Sequence, residues 1–484
     1  MKEMSMGAPE VVLLHSNDIH SRLEQAARMA TYIAETRRSY GSDHVLTVDI
    51  GDHMDRMRLE TEGSSGLVNI ELLNAAGYEA VTLGNNEGLT FTPEQLQEAY
   101  NGASFATVCA NMNSMGQDSP LWLMPHTIIR KGRLRIGLVG VTAAFAEFYR
   151  LMGWEVRDPL LAVSEQVEQL RADSDVVVVM SHLGLTLDRR MAQEIAGIDL
   201  ILGGHTHHLL MEPEMIGETC ICGAGKYGDY MGRVEIRWDD IASRPMFRAS
   251  CVPMAAYEEQ PEAAAIIGGF KKAAQRRLSR VVTRLSAALP ARAERESPLG
   301  NLLAAGLRRW TDAEIGIVNA GQLLGGLAEG DVTEGDIHAL CPSPINPCRM
   351  LLAGTAIRRA LEEALLGEFI DKEIRGFGFR GTVLGTLAVD GLDIIWDPNR
   401  ASYDKILSIT VQGEPFDDNR HYRIGTIDMF TFGIGYETIK GGTEIQYFLP
   451  EFIRDVLSAE LVNREALERC GASRWHISTL ESMN

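Results

Sequence analysis

The chain has 484 residues, 45% hydrophobic and 23% charged, with a formal net charge of −20. The composition is globular rather than disordered, and at roughly 100–200 residues per domain the length favours two to four domains. The acidic balance disfavours a protein that coats DNA or RNA, and no apolar run approaches the ~18 residues that span a bilayer.

The stretch Met1–Glu10 has one lysine and no apolar core, so no signal peptide is expected. The seven cysteines, at 109, 220, 222, 251, 341, 348 and 470, contain no C-x-x-C pair. Neither a zinc ribbon nor a thioredoxin-type site is signalled. Buried or free thiols in a reducing, cytoplasmic setting are expected.

In chain order, Val11–Leu14 reads as a strand, 23–40 as a helix and Val45–Ile50 as a strand. Leu67–Ala76 reads as helical and Ala80–Leu83 as a short strand. Ile136–Val141, Val176–Met180 and Leu200–Leu202 are further buried-strand runs. Continuous β-branched runs separated by helices suit a sheet covered on both faces, hence an α/β or layered α+β class. Pro261, followed by Glu262 and three alanines, opens a helix expected to run to about Arg284. A domain boundary is expected here: 9–255, a connecting helix over 256–284, and a second α/β unit over 285–484.

Polar residues recur directly after the apolar runs. Leu13-Leu14 leads into His15-Ser16-Asn17-Asp18-Ile19-His20, and Val48-Asp49-Ile50 into Gly51-Asp52-His53-Met54-Asp55-Arg56. Leu83 leads into Gly84-Asn85-Asn86-Glu87, Met180 into Ser181-His182, and Leu202 into Gly203-Gly204-His205-Thr206-His207. Loops at the carboxyl ends of strands are where open sheets build sites, so these five can converge. Asp18 and His20 can reach one ion across a tight turn. The two oxygens of Asp52 can bridge two ions, Asn85 offers a neutral carbonyl oxygen, and His182, His205 and His207 add imidazoles. Such a mixed oxygen and nitrogen set suits Mn²⁺, Zn²⁺, Fe or Co²⁺ better than Ca²⁺ or Mg²⁺ alone. Two divalent metal ions about 3.5–4 Å apart can share a hydroxide and clamp a phosphoryl group for in-line attack. His15, His53 and His208 lie beside these ligands and are read as supporting residues, one of which could donate a proton. His44, His126, His338, His421 and His476 carry no such reading.

The segments NDIH, GDHMDR, GNNE, SH and GGHTH resemble the calcineurin-like metallophosphoesterase motifs D-x-H, G-D-x-x-D-R, G-N-H-D/E, H and G-H-x-H. Arg295-Glu296-Ser297-Pro298-Leu299-Gly300-Asn301-Leu302 and Ile317-Val318-Asn319-Ala320-Gly321 resemble parts of the C-terminal domain of 5′-nucleotidases. The resemblance runs from about residue 10 to about residue 450. It implies an N-terminal four-layer αββα metallophosphoesterase domain plus a C-terminal 5′-nucleotidase-type substrate domain, with catalysis between them. By motif, Asp18, His20, Asp52 and His207 would hold one ion, and Asp52, Asn85, His182 and His205 the other. Arg295 and Asn319 would contact substrate.

The sequence departs from that family at the acid. The family motif G-N-H-E-x-D supplies a catalytic histidine oriented by an aspartate; here Asn86 and Leu89 stand at those positions. An amide cannot donate a proton and accept it back, so acid assistance of roughly 10²–10⁴-fold is lost unless another group supplies it. Asn86 can still donate a hydrogen bond to a phosphoryl oxygen. The arginine of N-G-G-x-x-R falls on Leu324, and the aspartate of N-G-G-D-G-F on Ile434. Phe377, Phe379, Phe430, Phe432 and Tyr436 remain as aromatics that could sandwich a base.

The expected function is a metal-dependent phosphoester hydrolase using a metal-bridging hydroxide. Its partner would be a small, nucleotide-like phosphorylated substrate, with no nucleic-acid polymer and no membrane. Loss of the dyad favours substrates whose leaving group needs little protonation, such as phosphodiesters and pyrophosphates. The alternative is a metal-binding pseudoenzyme that senses an anionic metabolite. A sulfur-ester hydrolase ranks behind both.

Overall fold

The computed structural model describes residues 8–115, 120–376 and 378–478. The chain divides into two compact units, Met1–Ala274 and Gln275–Asn484.

The first unit is built on two sheets. Strands Val11–Ser16, Val45–Asp49 and Ala80–Val81 run parallel in a seven-stranded sheet, whose other flank is the hairpin Tyr230–Asp239 and Arg244–Pro253. The six-stranded sheet centres on the parallel strands Leu134–Thr142, Val176–His182 and Leu200–Gly203. Side chains alternate across a strand, so each strand feeds two cores. Ile136, Leu138, Val176, Val178 and Met180 meet Val11, Leu13, Leu46 and Val48 in one cluster between the sheets. Val139, Val141, Val177 and Val179 face the opposite way, onto a cluster with Val163, Val167 and Leu170 of helix Pro159–Arg171. Helices Leu23–Tyr40 and Leu67–Ala76 share a separate apolar cluster with Ala263 and Ile267 of helix Pro261–Arg277. The result is the expected four-layer αββα arrangement. It buries both faces of each sheet, which is why the central strands read as unbroken apolar runs.

The helix that starts at Pro261 ends at Arg277, not near Arg284. Beyond it Val281–Leu285 forms a strand antiparallel to Gly330–Thr333, and the β-branched run Val281-Val282-Thr283 favours that pairing over another helical turn. The second unit carries a five-stranded sheet that includes Ile315–Asn319 and His421–Ile427, and a four-stranded sheet that includes Leu392–Trp396 and Ile406–Val411. One hydrophobic cluster serves it, with Leu299, Leu302, Leu303 and Leu307 of helix Pro298–Trp310 packed against these strands. Among the described residues no helix is long and apolar enough to cross a membrane. All seven cysteines are buried and none is disulfide-bonded.

Candidate metal centre

The first unit brings the polar loops together at the carboxyl ends of its parallel strands. Asp18, His20 and His207 offer ligand atoms within 4.8 Å of one another, and so do Asp18, Asp52 and His182. His207 Nε2 lies 3.3 Å from Asp18 Oδ1, and His182 Nε2 lies 3.4 Å from Asp52 Oδ1. His20 Nε2 stands 3.9 Å from both Asp18 and Asp52, and 3.4 Å from His207 Nε2. The His205 ring packs 5.3 Å from that of His182, while its backbone N–H donates to the Asp18 carboxylate.

The backbone holds these groups in an uncommon conformation. Asp18, His20, Asp52, His205 and His207 all have positive φ, between 47° and 69°. Left-handed backbone at a non-glycine residue costs on the order of 1–3 kcal/mol and persists only where the surroundings enforce it. Hydrogen bonds do so here. Asp18 N–H donates to Gly51 O, His20 N–H to Asp52 O and Ser21 N–H to His53 O, lacing the first loop to the second. The second loop presses on the third so closely that a Cβ on Gly84 would lie 2.1 Å from Asp52 Oδ1, and one on Gly51 would lie 2.3 Å from Gly84 N. Only glycine fits at either position.

Glu87 ties these loops together. Its buried carboxylate accepts from the N–H groups of Asp52 (3.0 Å), Met54 (2.9 Å) and Gly84 (2.8 Å). Burial, reinforced by the Asp52 charge, raises its pKa to about 7. This role was not read from the sequence, although the signal was there: Gly84 caps the helix Asn85–Thr90 and Glu87 is the acid three residues on, the spacing of a capping box. A second supporting network was equally silent. Asn69 donates to Ser21 Oγ and to the His53 carbonyl and also meets His53 Nδ1, and Thr61 bonds both Ser21 and Asn69.

The donor set fits divalent cations on two independent observations. His182 Nδ1 lies 2.8 Å from the Ile50 carbonyl, which can only accept, so Nδ1 carries a proton and Nε2 is the ring nitrogen left for a cation. That Nε2 is buried and has no hydrogen-bond partner, and the same holds for Asn85 Oδ1. Each orphaned buried polar atom costs about 1–3 kcal/mol, and a cation is the kind of partner that would relieve such an atom. The protein's own charges are poised the same way. Burial raises the carboxyl pKa of Asp52, but the neighbouring His182 and His20 outweigh it and bring the net shift down. Burial alone would lower His182, but Asp52 and Asp18 carry it up to about 10, so without a cation the two carboxylates hold a proton on Nε2 that a bound cation would displace. His205, dominated by burial, falls to about 4 and is neutral, as a metal ligand must be.

Asn86, at the position of the missing histidine, is turned toward the loops. Its Nδ2 donates to the Met54 carbonyl and lies 3.0 Å from His20 Nδ1, and its backbone N–H donates to Asp52 Oδ1. His15 packs in the space left by Gly232, where burial lowers its pKa to about 4. His53 is buried and bonded to Asn69, and His208 is exposed with Nδ1 2.9 Å from Thr206 Oγ1.

In the second unit, Arg295 is exposed, its guanidinium 3.8 Å from Glu294. Asn319 is fully buried, donating to Leu384 O and accepting from Gln322. Of the candidate aromatics, Phe379, Phe430 and Tyr436 belong to the core, with Tyr436 stacked on Phe369 and donating to Gly385 O. Phe432 is 41% exposed, and Phe377 lies outside the described residues. Leu324 is exposed and Ile434 is packed against the core.

Comparison with known proteins gives two domain matches: calcineurin-like phosphoesterase over residues 11–209, and 5′-nucleotidase, C-terminal domain, over residues 277–441. The chain is 34% identical over 454 residues to the uncharacterized metallophosphoesterase YunD of Bacillus subtilis (strain 168), covering 93% of this chain and 98% of that one. Two solved structures share the fold. The NAD nucleotidase NadN of Haemophilus influenzae matches with a TM-score of 0.68 at 16% identity, covering 97% of this chain and 99% of that one. A 5′-nucleotidase precursor from Thermus thermophilus matches with a TM-score of 0.59 at 22% identity, covering 96% and 99%. The chain therefore belongs to the calcineurin-like metallophosphoesterases that carry a 5′-nucleotidase C-terminal domain.

Proposed function

We propose that this chain hydrolyses a nucleotide or a related small phosphoester with two divalent cations. Asp18, His20, Asp52 and His207 would hold one ion, Asp52, Asn85, His182 and His205 the other, with Asp52 shared. The observation that carries this is the clustering of Asp18, Asp52, His20, His182 and His207 ligand atoms, together with two buried atoms that have no hydrogen-bond partner, Asn85 Oδ1 and His182 Nε2. Bound divalent ions supply a nucleophile from water at neutral pH and positive charge against the phosphoryl oxygens. The chain's own residues do the rest. Glu87 fixes the loops, Ile50 O fixes the His182 tautomer, and Asn86 positions His20 through the amide that replaces the family histidine. No imidazole stands at residue 86 to protonate a departing alkoxide, so the reading favours esters with acidic leaving groups.

A metal-binding pseudoenzyme is the second reading, favoured by the engagement of Asn86 with Met54 O and His20. One experiment separates them. Purified protein reloaded with Mn²⁺, Co²⁺ or Zn²⁺ is assayed against nucleoside monophosphates, cyclic nucleotides, dinucleotides, UDP-sugars and bis-p-nitrophenyl phosphate. Metal-dependent turnover of any of these supports the hydrolase; tight metal binding with no turnover supports the pseudoenzyme.

A further inference from the structure

Beside the candidate metal centre, the segment Gly225-Lys226-Tyr227-Gly228 is pinned to the first metal loop. Asn17 Nδ2 donates to Gly225 O, Ala224 N–H donates to Asn17 Oδ1, and Tyr227 N–H donates to Asp18 O at 2.7 Å. All four residues but Lys226 have positive φ, and at Tyr227 (φ 61°) there is no glycine to relieve it. That backbone sets the Tyr227 ring edge-on against His20, with centroids 5.8 Å apart.

Two cations flank the same ring. The Arg22 guanidinium carbon is 5.0 Å from the Tyr227 centroid, and Lys226 Nζ is 4.6 Å from it. Among the described residues neither side chain has a hydrogen bond or an ion pair. Glu24 feels the charge of Arg22 but is itself bonded to Arg58. Two like charges held on one ring repel each other, and cation–π attraction of roughly 0.5–2 kcal/mol offsets only part of that. In a chain of net charge −20, carboxylates were available to neutralise them and none is used.

We propose that Arg22, Lys226 and Tyr227 form an anion-binding subsite for a second phosphoryl group, one aromatic ring away from the phosphoryl group at the metals. The inference rests on the phosphoesterase reading and deepens it: the preferred substrate carries two adjacent phosphoryl groups, as in a pyrophosphate-linked compound. Tyr227 is a positioning residue, holding both cations at a fixed offset from His20. The arrangement discriminates by charge and spacing, because a lone phosphate reaches the metals without needing this subsite.

The test is calorimetric titration of the full-length, Mn²⁺-loaded protein with methylenediphosphonate, whose P–C–P bridge is not hydrolysed, and with inorganic phosphate. The wild type should prefer the diphosphonate at least about tenfold after correction for Mn²⁺ complexation, and the preference should collapse in the Arg22→Gln/Lys226→Gln variant. The exchange variant Arg22→Lys/Lys226→Arg should retain it, which separates charge from mere packing. A wild type with no preference, a Gln/Gln variant that keeps it, or an exchange variant that loses it overturns the subsite. Wild-type turnover of bis-p-nitrophenyl phosphate, measured in parallel, reports on the hydrolase reading alone. Its failure would leave the binding result readable.

Discussion

Glu87→Gln is the substitution that probes the construction of the site most sharply. The carboxylate accepts three backbone N–H groups, two on Oε2 and one on Oε1. In glutamine one oxygen becomes an NH₂ group. The lowest-cost rotamer gives the remaining oxygen to Asp52 and Gly84 and leaves Met54 N–H facing another donor. An orphaned buried N–H costs about 1–3 kcal/mol, which corresponds to a Tm lowered by several degrees for a unit of this size. Glu87→Ala orphans all three groups and should cost on the order of 5 kcal/mol. The same loops carry Asp52 and Asn85, so metal affinity should fall too, by roughly 10–100-fold as for other outer-sphere partners. Thermal unfolding at pH 8, where the wild-type carboxylate is ionised, and calorimetric titration with Mn²⁺ read the two effects. A glutamine variant with wild-type Tm and wild-type Mn²⁺ affinity would refute the view that Glu87 holds the loops in register.

Three further outcomes are expected. His15 is buried and neutral with a pKa near 4, below the unfolded value of 6.5, so the unfolded chain takes up the proton first as pH falls. Its contribution is intact above pH 6.5 and is lost between 6.5 and 4, by roughly 3 kcal/mol; His15→Phe, which keeps a ring against Gly232, should flatten that part of the denaturant-melt pH profile. Thiol titration of freshly purified, denatured protein should find all seven cysteines reduced, and a stable disulfide would contradict their buried, unpaired placement. The wild type should cleave p-nitrophenyl esters far better than AMP by kcat/KM, and Asn86→His with Leu89→Asp should narrow the gap; equal wild-type rates on both would remove the leaving-group argument.

The residues of the candidate metal centre could be picked out because they are local in sequence. Each sits within a few residues of a strand end, and strand ends show as the stop of an apolar run. The αββα layering was legible for a related reason, since strands buried on both faces have no polar alternation. What escaped was held by long-range contacts. Asn69 supports His53 across 16 residues, and Asn17 grips Gly225 across 208. Nothing in either neighbourhood marks such a partner. The helix at Pro261 was read too long because basic residues, Arg280 and Arg284, continue past Arg277, whereas the strand pairing beyond it depends on residues 330–333. Aromatic identity alone did not tell a base clamp from core: Phe430 and Tyr436 are fully buried, and only neighbours far along the chain decide that.

Turnover of bis-p-nitrophenyl phosphate by metal-stripped protein, followed while Mn²⁺ is added in known equivalents, tests the central claim most directly. The account predicts activity that rises to a plateau near two equivalents per chain in the wild type. It predicts none in Asp52→Asn, where a neutral amide bridges two cations poorly. A folded wild type that binds Mn²⁺ yet shows no turnover at any loading, or an Asp52→Asn protein that turns over as the wild type does, would contradict it.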